Sequence, residues 1–200
     1  MLDLGAIGLA ILGLFSPQLD VREPIPYFIE DGKGVPGFRE SDRELARLAL
    51  EAWSRESRGR LKFTESKTPS AALIRLRWIP PNQSLFGEMQ RVLVNGRQGA
   101  IVNVMPDVAQ HGEPLSSRAL SDALLRDTIV YLTCVHELGH AVGLPHTKNF
   151  PDIMYFFGFG GDIADYFMRY RNRLRTRSDI LNYSGLSPAD IATLRELYKD

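Results

Sequence analysis

Cysteine is almost absent from this chain of 200 residues, in which Cys134 is the only one. A single thiol excludes an internal disulfide, so the fold must hold together without a covalent cross-link. Cys134 lies two positions before His136, which corresponds to roughly 200° around a helix. We therefore predict that Cys134 faces the protein core, away from that histidine.

An excess of charge is lacking as well, since 24 lysines and arginines balance 24 aspartates and glutamates. The formal net charge of zero gives no overall indication of a nucleic-acid partner or a membrane surface. The apolar fraction of 44% and the charged fraction of 24% are ordinary for a soluble globular protein. The chain length suits one domain with a sizeable core.

The apolar run at residues 4–15 is interrupted only by glycines and is too short to span a bilayer. A secretory leader would need a basic start and a small-residue cleavage site, whereas Asp3 precedes this run and Phe15-Ser16-Pro17 ends it. We therefore divide the chain in two. Residues 1–19 are an apolar segment, either a helix packed on the domain or the remnant of a leader, and residues 20–200 are a single domain.

Histidine is scarce, and three of the four histidines fall within residues 136–146. His136 and His140 are four positions apart, so they differ by roughly 40° around a helix axis and share one face. Their Cβ atoms are then about 5–6 Å apart, which suits one zinc ion at Zn–N distances of about 2.0–2.1 Å. Glu137 lies roughly 60° from His140, where it can contact a water molecule on the metal.

Gly143 and His146 complete this pattern. Gly143 gives the backbone access to the left-handed conformation, so the helix can end there and His146 can return as a third ligand. Three protein ligands leave one position open, as in a catalytic zinc site. Zinc acidifies its bound water and polarises a peptide carbonyl, and Glu137 can act as general base and acid. The alternative, structural histidines at helical spacing, is disfavoured because the extended pattern is specific.

Residues 136–146 resemble the zinc signature of the metzincin metallopeptidases, His-Glu-x-x-His-x-x-Gly-x-x-His. Residues 152–155, Asp-Ile-Met-Tyr, are similar to the methionine turn of that clan. Met154 follows His146 by eight residues, as in the matrixins. The resemblance implies that Met154 supports the zinc site from below.

Residue types at two further positions differ between the individual metzincin families, so they can be compared with this chain. Thr147, directly after the third histidine, is closest to the serine of matrixins. Phe156 replaces the zinc-binding tyrosine of astacins and serralysins, so the resemblance implies no tyrosine ligand. Phe156 also replaces the usual matrixin proline, which forms a wall of the S1′ pocket that receives the residue after the scissile bond. We therefore expect the shape of that pocket to differ.

The resemblance covers roughly residues 24–200 and implies an α+β, zincin-like fold. This metzincin fold has a twisted mixed β-sheet with two long helices and a small C-terminal subdomain with one helix. The residue pattern predicts strands at 24–30, 61–65, 72–79 and 99–104. It predicts one helix that begins at a capping box at Ser41, and two more that begin at the N-cap residues Ser121 and Ser187.

Residues 80–98 are interpreted as a polar connection without histidine or aspartate. The matching loop of many matrixins binds a structural zinc and calcium, so we predict no second zinc here and leave a calcium requirement open. By resemblance, residues 99–104 form the edge strand of the cleft, where an extended peptide can pair. His111 lies in a loop with glycine and proline, and we expect it to face solvent outside the metal site.

Residues 156–177 are longer than the matching link in matrixins and carry five arginines between 163 and 177. One interpretation is a solvated basic helix that packs through Ile163, Tyr166, Phe167 and Tyr170. The other is a lid or subsite wall that favours acidic residues in the substrate.

The preferred hypothesis is a zinc-dependent endopeptidase with one catalytic zinc and a peptide or protein substrate. The alternatives are a zinc-containing peptide-binding module and a latent, narrowly specific processing protease whose cleft is covered by residues 156–177. Relatives of this kind are mostly exported, which favours an extracytoplasmic location over the cytoplasm. The sequence contains no clear membrane span and leaves the oligomeric state open.

Overall fold

A computed structural model describes residues 18–81 and 86–199. The predicted apolar segment at residues 4–15 lies outside these described residues. Within them, no helix combines the length and the apolar character that crossing a membrane requires.

The sheet has five strands in the order β2-β1-β3-β5-β4. The strands β2, β1, β3 and β5 run parallel to one another, and β4 pairs antiparallel with β5. The strand bounds are Ile25–Ile29 (β1), Phe63–Glu65 (β2), Ile74–Trp78 (β3), Gly87–Val94 (β4) and Arg97–Val104 (β5).

The alternation of β3 follows the sequence pattern. Ile74, Leu76 and Trp78 are buried on one face, whereas Arg75 and Arg77 occupy the other. Successive strand residues point to opposite faces, so the apolar set lies against the helices and the arginines lie outward.

The interpretation of residues 80–98 as a polar connection is wrong, because this region contains β4. Asn95 and Gly96 form the turn between β4 and β5 and have φ values of 51° and 76°. An Asn-Gly pair accepts positive φ at both positions, which makes a tight hairpin. Consequently β5 lies inside the sheet, and the edge strand is β4 rather than residues 99–104.

Five α-helices accompany the sheet in the described residues. Their bounds are Asp42–Glu56 (α1), Leu115–Ser121 (α2), Ala123–Ala141 (α3), Ile163–Arg171 (α4) and Pro188–Leu197 (α5). The predicted α+β architecture, a mixed sheet with the long helices α1 and α3 and a smaller C-terminal part, is confirmed. In that part, α4 precedes the closing helix and ends at Arg171, before the end of the arginine-rich stretch.

The predicted cap of the central helix is off by one residue. Ser121 ends α2, and Asp122 caps α3 by accepting hydrogen bonds from the N–H groups of Leu124 and Leu125 at 3.0 and 3.1 Å. A carboxylate at this position satisfies helix N–H groups that have no intrahelical partner. The predicted N-cap at Ser187 is confirmed, and the structure adds a capping box formed with Asp190.

The predicted capping box at Ser41 is also wrong, because its side chain makes no cap hydrogen bond. Asp42 instead forms a buried ion pair with Arg126 of α3. The Arg126 Nη2 lies 2.7 Å from Asp42 Oδ2 and 2.7 Å from the carbonyl oxygen of Gly37. Arg126 also contacts Asp127, which pairs with Arg177. This network joins the start of α1, the start of α3 and the C-terminal part.

Replacing Arg126 with Ala should lower the free energy of unfolding by about 3–5 kcal/mol, because Asp42 would stay buried without a countercharge. Urea denaturation monitored by circular dichroism measures this loss. Arg175→Ala, at an exposed position, is the control and should change stability by no more than about 0.5 kcal/mol. Equal losses in the two variants would contradict a stabilising role for the buried pair.

Candidate metal centre

Helix α3 brings two histidines to one face, and the chain after it returns a third. The ring nitrogens of His136, His140 and His146 offer ligand atoms that all lie within 4.8 Å of one another. The Nε2 atoms of His140 and His146 are 3.0 Å apart. Two nitrogens bound tetrahedrally to one zinc at about 2.0–2.1 Å would be separated by roughly 3.3 Å. The donor set and its spacing therefore fit a zinc ion.

The end of α3 makes this return possible. The N–H of Leu144 donates to the carbonyl of Gly139 at 2.9 Å, and the N–H of Gly143 donates to that of His140 at 3.0 Å. These two bonds define a Schellman ending, which needs a left-handed residue. Gly143 supplies it with φ of 106°. The chain then turns back and places His146 opposite the helical histidines.

Backbone carbonyls orient the two helical histidines. The Nδ1 of His136 lies 2.6 Å from the carbonyl oxygen of Ile153, and the Nδ1 of His140 lies 2.9 Å from that of Leu144. A carbonyl only accepts, so each Nδ1 carries the hydrogen and each Nε2 keeps its lone pair for a metal. Burial lowers the pKa of His136 to about 3 and that of His140 to about 4. Both rings are therefore neutral at pH 7, as ligation requires.

The methionine turn packs on α3 at Gly139. Met154 is fully buried, and a Cβ added to Gly139 would lie 2.4 Å from its sulfur. Only glycine at position 139 leaves room for the Met154 sulfur to contact α3 at this point, which lies between His136 and His140 in the sequence. Met154 therefore contacts α3 at Gly139, and its support of the zinc site stays a prediction.

Two C-terminal residues hold the methionine turn, and no local sequence pattern predicted this role for either of them. Asp190 of α5 accepts a hydrogen bond from the N–H of Ile153 at 2.8 Å. The hydroxyl of Tyr166 in α4 donates to the carbonyls of Asp152 and Ile153 at 3.1 and 3.2 Å. The oxygen that orients His136 is thus fixed from the C-terminal part of the chain.

Glu137 is 7% exposed and lies beside the histidine cluster. Burial, together with the negative charge of Glu88, raises the pKa of its carboxyl to about 8. A dication between the histidines would act in the opposite direction, since a nearby positive charge favours the carboxylate. The edge strand packs on this side chain through Gly87, where an added Cβ would lie 2.7 Å from Glu137 Cγ. Glycine at position 87 therefore lets β4 approach Glu137 closely.

A cavity of about 500 Å³ opens beside the histidines and Glu137. Its wall includes the apolar or aromatic side chains of Met89, Leu132, Phe157, Ile163, Tyr166 and Phe167. No arginine or lysine of the described parts of the chain lines it. Residues 156–177 therefore contribute aromatic and aliphatic groups to the wall, and their arginines lie elsewhere.

Phe156 lies at the mouth of the cavity. Its ring centroid is 4.8 Å from that of His146, and 45% of the residue is exposed. Phe156 thus covers one face of the third histidine at the position where matrixins usually have proline.

The two remaining candidates for metal ligands lie apart from the cluster. Cys134 is fully buried, which confirms that it faces the core, and burial raises the pKa of its thiol. The expectation that His111 faces solvent is wrong. Its ring stacks on Phe86 with centroids 3.9 Å apart, and burial lowers its pKa to about 4. His111 is not among the clustered ligand atoms.

Comparison with known families agrees with this geometry. A family model of the matrixin peptidases matches residues 25–159. The chain is a matrixin. The match includes the sheet, α1, α3, the three histidines and the methionine turn, while α4 and α5 lie beyond it. A search of curated proteins finds no match for this matrixin. Membership supports a zinc metallopeptidase acting on peptides or proteins.

Replacing Gly143 with Ala should weaken zinc binding about tenfold, because an L-residue in the left-handed region costs roughly 1–2 kcal/mol and the turn would shift His146. Competition with a chromogenic chelator measures the affinity. The matched control is Gly96→Ala, which is strained in the same way at φ of 76° in the β4–β5 turn. That variant should lose stability but keep its zinc affinity. Equal zinc affinities in both variants would contradict the role of Gly143.

Proposed function

We propose that this matrixin is a zinc-dependent endopeptidase in which His136, His140 and His146 bind one catalytic zinc. The observation that carries the proposal is the convergence of three neutral imidazoles beside a buried carboxyl in an open, mostly apolar cleft. Three protein ligands leave room for water and substrate. We further propose that residues 20–200 form a single catalytic domain.

Bound zinc would supply positive charge that polarises the scissile carbonyl and acidifies a water molecule. Glu137 accepts a proton from the attacking water and later delivers it to the nitrogen of the leaving amine. The hydroxyl group of that water bonds to the carbonyl carbon as the C–N bond breaks. Met154 supports the histidines from below and takes no part in proton transfer.

The substrate is proposed to lie along the outer edge of β4. This strand is the last in the sheet, so its outer backbone groups have no neighbouring strand. An extended peptide can add to such an edge through backbone hydrogen bonds. Gly87 of β4 packs on Glu137, so a peptide on this edge would pass next to the general base.

The pocket walls favour an apolar side chain after the scissile bond. The cavity has aromatic and aliphatic walls and two acidic groups, Glu88 and Glu137. An acidic substrate side chain would lose its hydration there without meeting a cation from the protein wall. This disfavours the earlier interpretation in which the arginine-rich stretch selects acidic residues in the cleft.

The competing hypotheses of a binding module and a covered cleft have weaker support. His146 is exposed, and Phe156, whose ring lies against that of His146, is itself 45% exposed. The cleft also retains the carboxyl of Glu137 beside the three histidines, which a binding module would not need. We also propose that the protein acts outside the cytoplasm, and this proposal rests on family membership alone.

Replacing Glu137 with Ala should leave zinc bound and lower peptide hydrolysis about 10²–10⁴-fold, because proton transfer to and from the water is lost. Hydrolysis of a quenched fluorescent peptide and metal analysis of the same samples measure the two effects. Glu51→Ala, at an exposed position on α1, is the control. Full activity in the Glu137→Ala variant would exclude the assigned role.

Peptides with leucine after the scissile bond should be cleaved about 10–200-fold faster than the same peptides with aspartate there, because burial of a leucine side chain is favourable by roughly 1.5–3 kcal/mol. The ratio kcat/KM for matched pairs tests this expectation. The same exchange three residues before the scissile bond is the control and should have a smaller effect. Faster cleavage of the aspartate peptide would contradict the apolar pocket.

A further inference from the structure

The five arginines of residues 163–177 do not serve one purpose. Arg171 pairs with Asp122, with Nε 2.7 Å from the carboxylate oxygen. Arg177 pairs with Asp127 and lies 3.3 Å from a carboxylate oxygen of Glu44. These two arginines attach the C-terminal part to α1 and α3.

Arg169 and Arg173 are different, because neither forms an ion pair with a carboxylate in residues 18–81 or 86–199. Both line a second cavity of about 170 Å³, together with Leu132, Pro151, Tyr170 and Gly185. Arg169 lies in the last turn of α4 and Arg173 in the turn that follows the helix, and both side chains border the same cavity. A polar pocket with two uncompensated cations attracts an anion.

The guanidinium of Arg169 is fixed by its surroundings. Its Nη2 donates to the carbonyl of Phe150 at 2.9 Å. Its Cζ lies 4.7 Å from the ring centroid of Phe150 and 5.1 Å from that of Tyr166. Its Nε is buried and has no hydrogen-bond acceptor among the described residues. This donor is therefore positioned before any ligand arrives, which reduces the entropy lost on binding.

Arg173 forms the outer side of the pocket. It is exposed, and its Cζ lies 4.3 Å from the ring centroid of Tyr183. Stacking on an aromatic ring leaves the N–H groups at the edge of the guanidinium free to bind oxygen atoms. One half-buried and one exposed arginine thus border the same cavity.

The carboxylates close to this region are already engaged by the protein. Asp152 accepts hydrogen bonds from Ser187 and Asn149, and Asp190 accepts them from Ile153 and Ser187. Neither carboxylate pairs with Arg169 or Arg173. Among the described residues, therefore, no carboxylate forms an ion pair with either arginine of the pocket.

We propose that this second cavity, called here the arginine pocket, binds an oxyanion: a carboxylate, sulfate or phosphate group. The planar N–H pairs of guanidinium match two oxygen atoms of such groups, and charge-assisted bonds of this kind are strong. This site is separate from the zinc site and does not depend on peptidase activity. Leu132 and Tyr166 line both cavities, so one layer of side chains separates the arginine pocket from the cleft.

Calorimetric titration with sodium sulfate at constant ionic strength, with chloride as the balancing anion, tests this proposal on the zinc-loaded full chain. Sulfate should bind the unmodified protein, and Arg173→Gln should weaken that binding at least about tenfold, the loss expected for a hydrogen bond to a charged group. Arg169→Lys, which keeps the charge but not the planar donor pair, should also weaken it. Because Arg173 is exposed, its variant should fold normally.

The matched control is Arg175→Gln, an exposed arginine of the same stretch that does not line the pocket. It should bind sulfate as the unmodified protein does. No sulfate binding, or equal affinity in the Arg173 and Arg175 variants, would overturn the proposal.

A second titration identifies the source of the ligand. A short blocked peptide with one glutamate is compared with its glutamine counterpart. If the glutamate peptide binds and Arg173→Gln abolishes this binding, the pocket recognises an acidic peptide side chain. If only sulfate binds in this arginine-dependent way, the pocket holds a free inorganic oxyanion. Both outcomes support the oxyanion site.

Discussion

The geometry of the metal centre depends most on the hydrogen bonds that the carbonyl oxygen of Ile153 accepts. It accepts the Nδ1 hydrogen of His136 at 2.6 Å and the hydroxyl of Tyr166 at 3.2 Å. The N–H of the same residue is held by Asp190. One peptide unit thus connects α3, the methionine turn, α4 and α5. A ring held in this way presents Nε2 in a fixed direction, which a preorganised metal site requires.

The apolar surroundings give the site its chemistry. Burial keeps His136 and His140 neutral, and it raises the pKa of Glu137 to about 8 when no metal charge is present. The same environment therefore keeps the histidines in the form that binds a cation, and it makes the charge of Glu137, the proposed general base, respond strongly to that cation. The edge strand reaches Glu137 because position 87 has no side chain. Local packing thus brings together the histidine cluster, the proposed base Glu137 and the edge strand that is proposed to hold the substrate.

Local patterns in the sequence predicted much of this site. His136, Glu137 and His140 are related by helical spacing alone, and Gly143 has the left-handed φ that its position required. The alternation of β3 and the cap at Ser187 are local signals too. The edge strand β4 was missed even though Asn95-Gly96 is a strong hairpin signal, because its residues 87–94 lack a clear apolar alternation.

Contacts between distant residues could not be predicted in the same way. Arg126 and Asp42 are 84 positions apart, and Tyr166 and Ile153 meet through the packing of α4 on the methionine turn. The stacking of His111 on Phe86 also depends on two loops that the sequence does not relate. Such contacts follow from the three-dimensional fold, and propensities and spacing carry no information about them.

The most direct test of the central claim is mass spectrometry of a mixed peptide library after incubation with the protein. The cleavage products are compared between protein from which a chelator has removed the metal and the same protein after zinc has been restored. The account predicts internal cuts that disappear on chelation, return with zinc and share apolar residues after the scissile bond. A zinc-loaded protein that leaves every peptide intact, or cuts that persist without metal, would contradict a zinc-dependent endopeptidase.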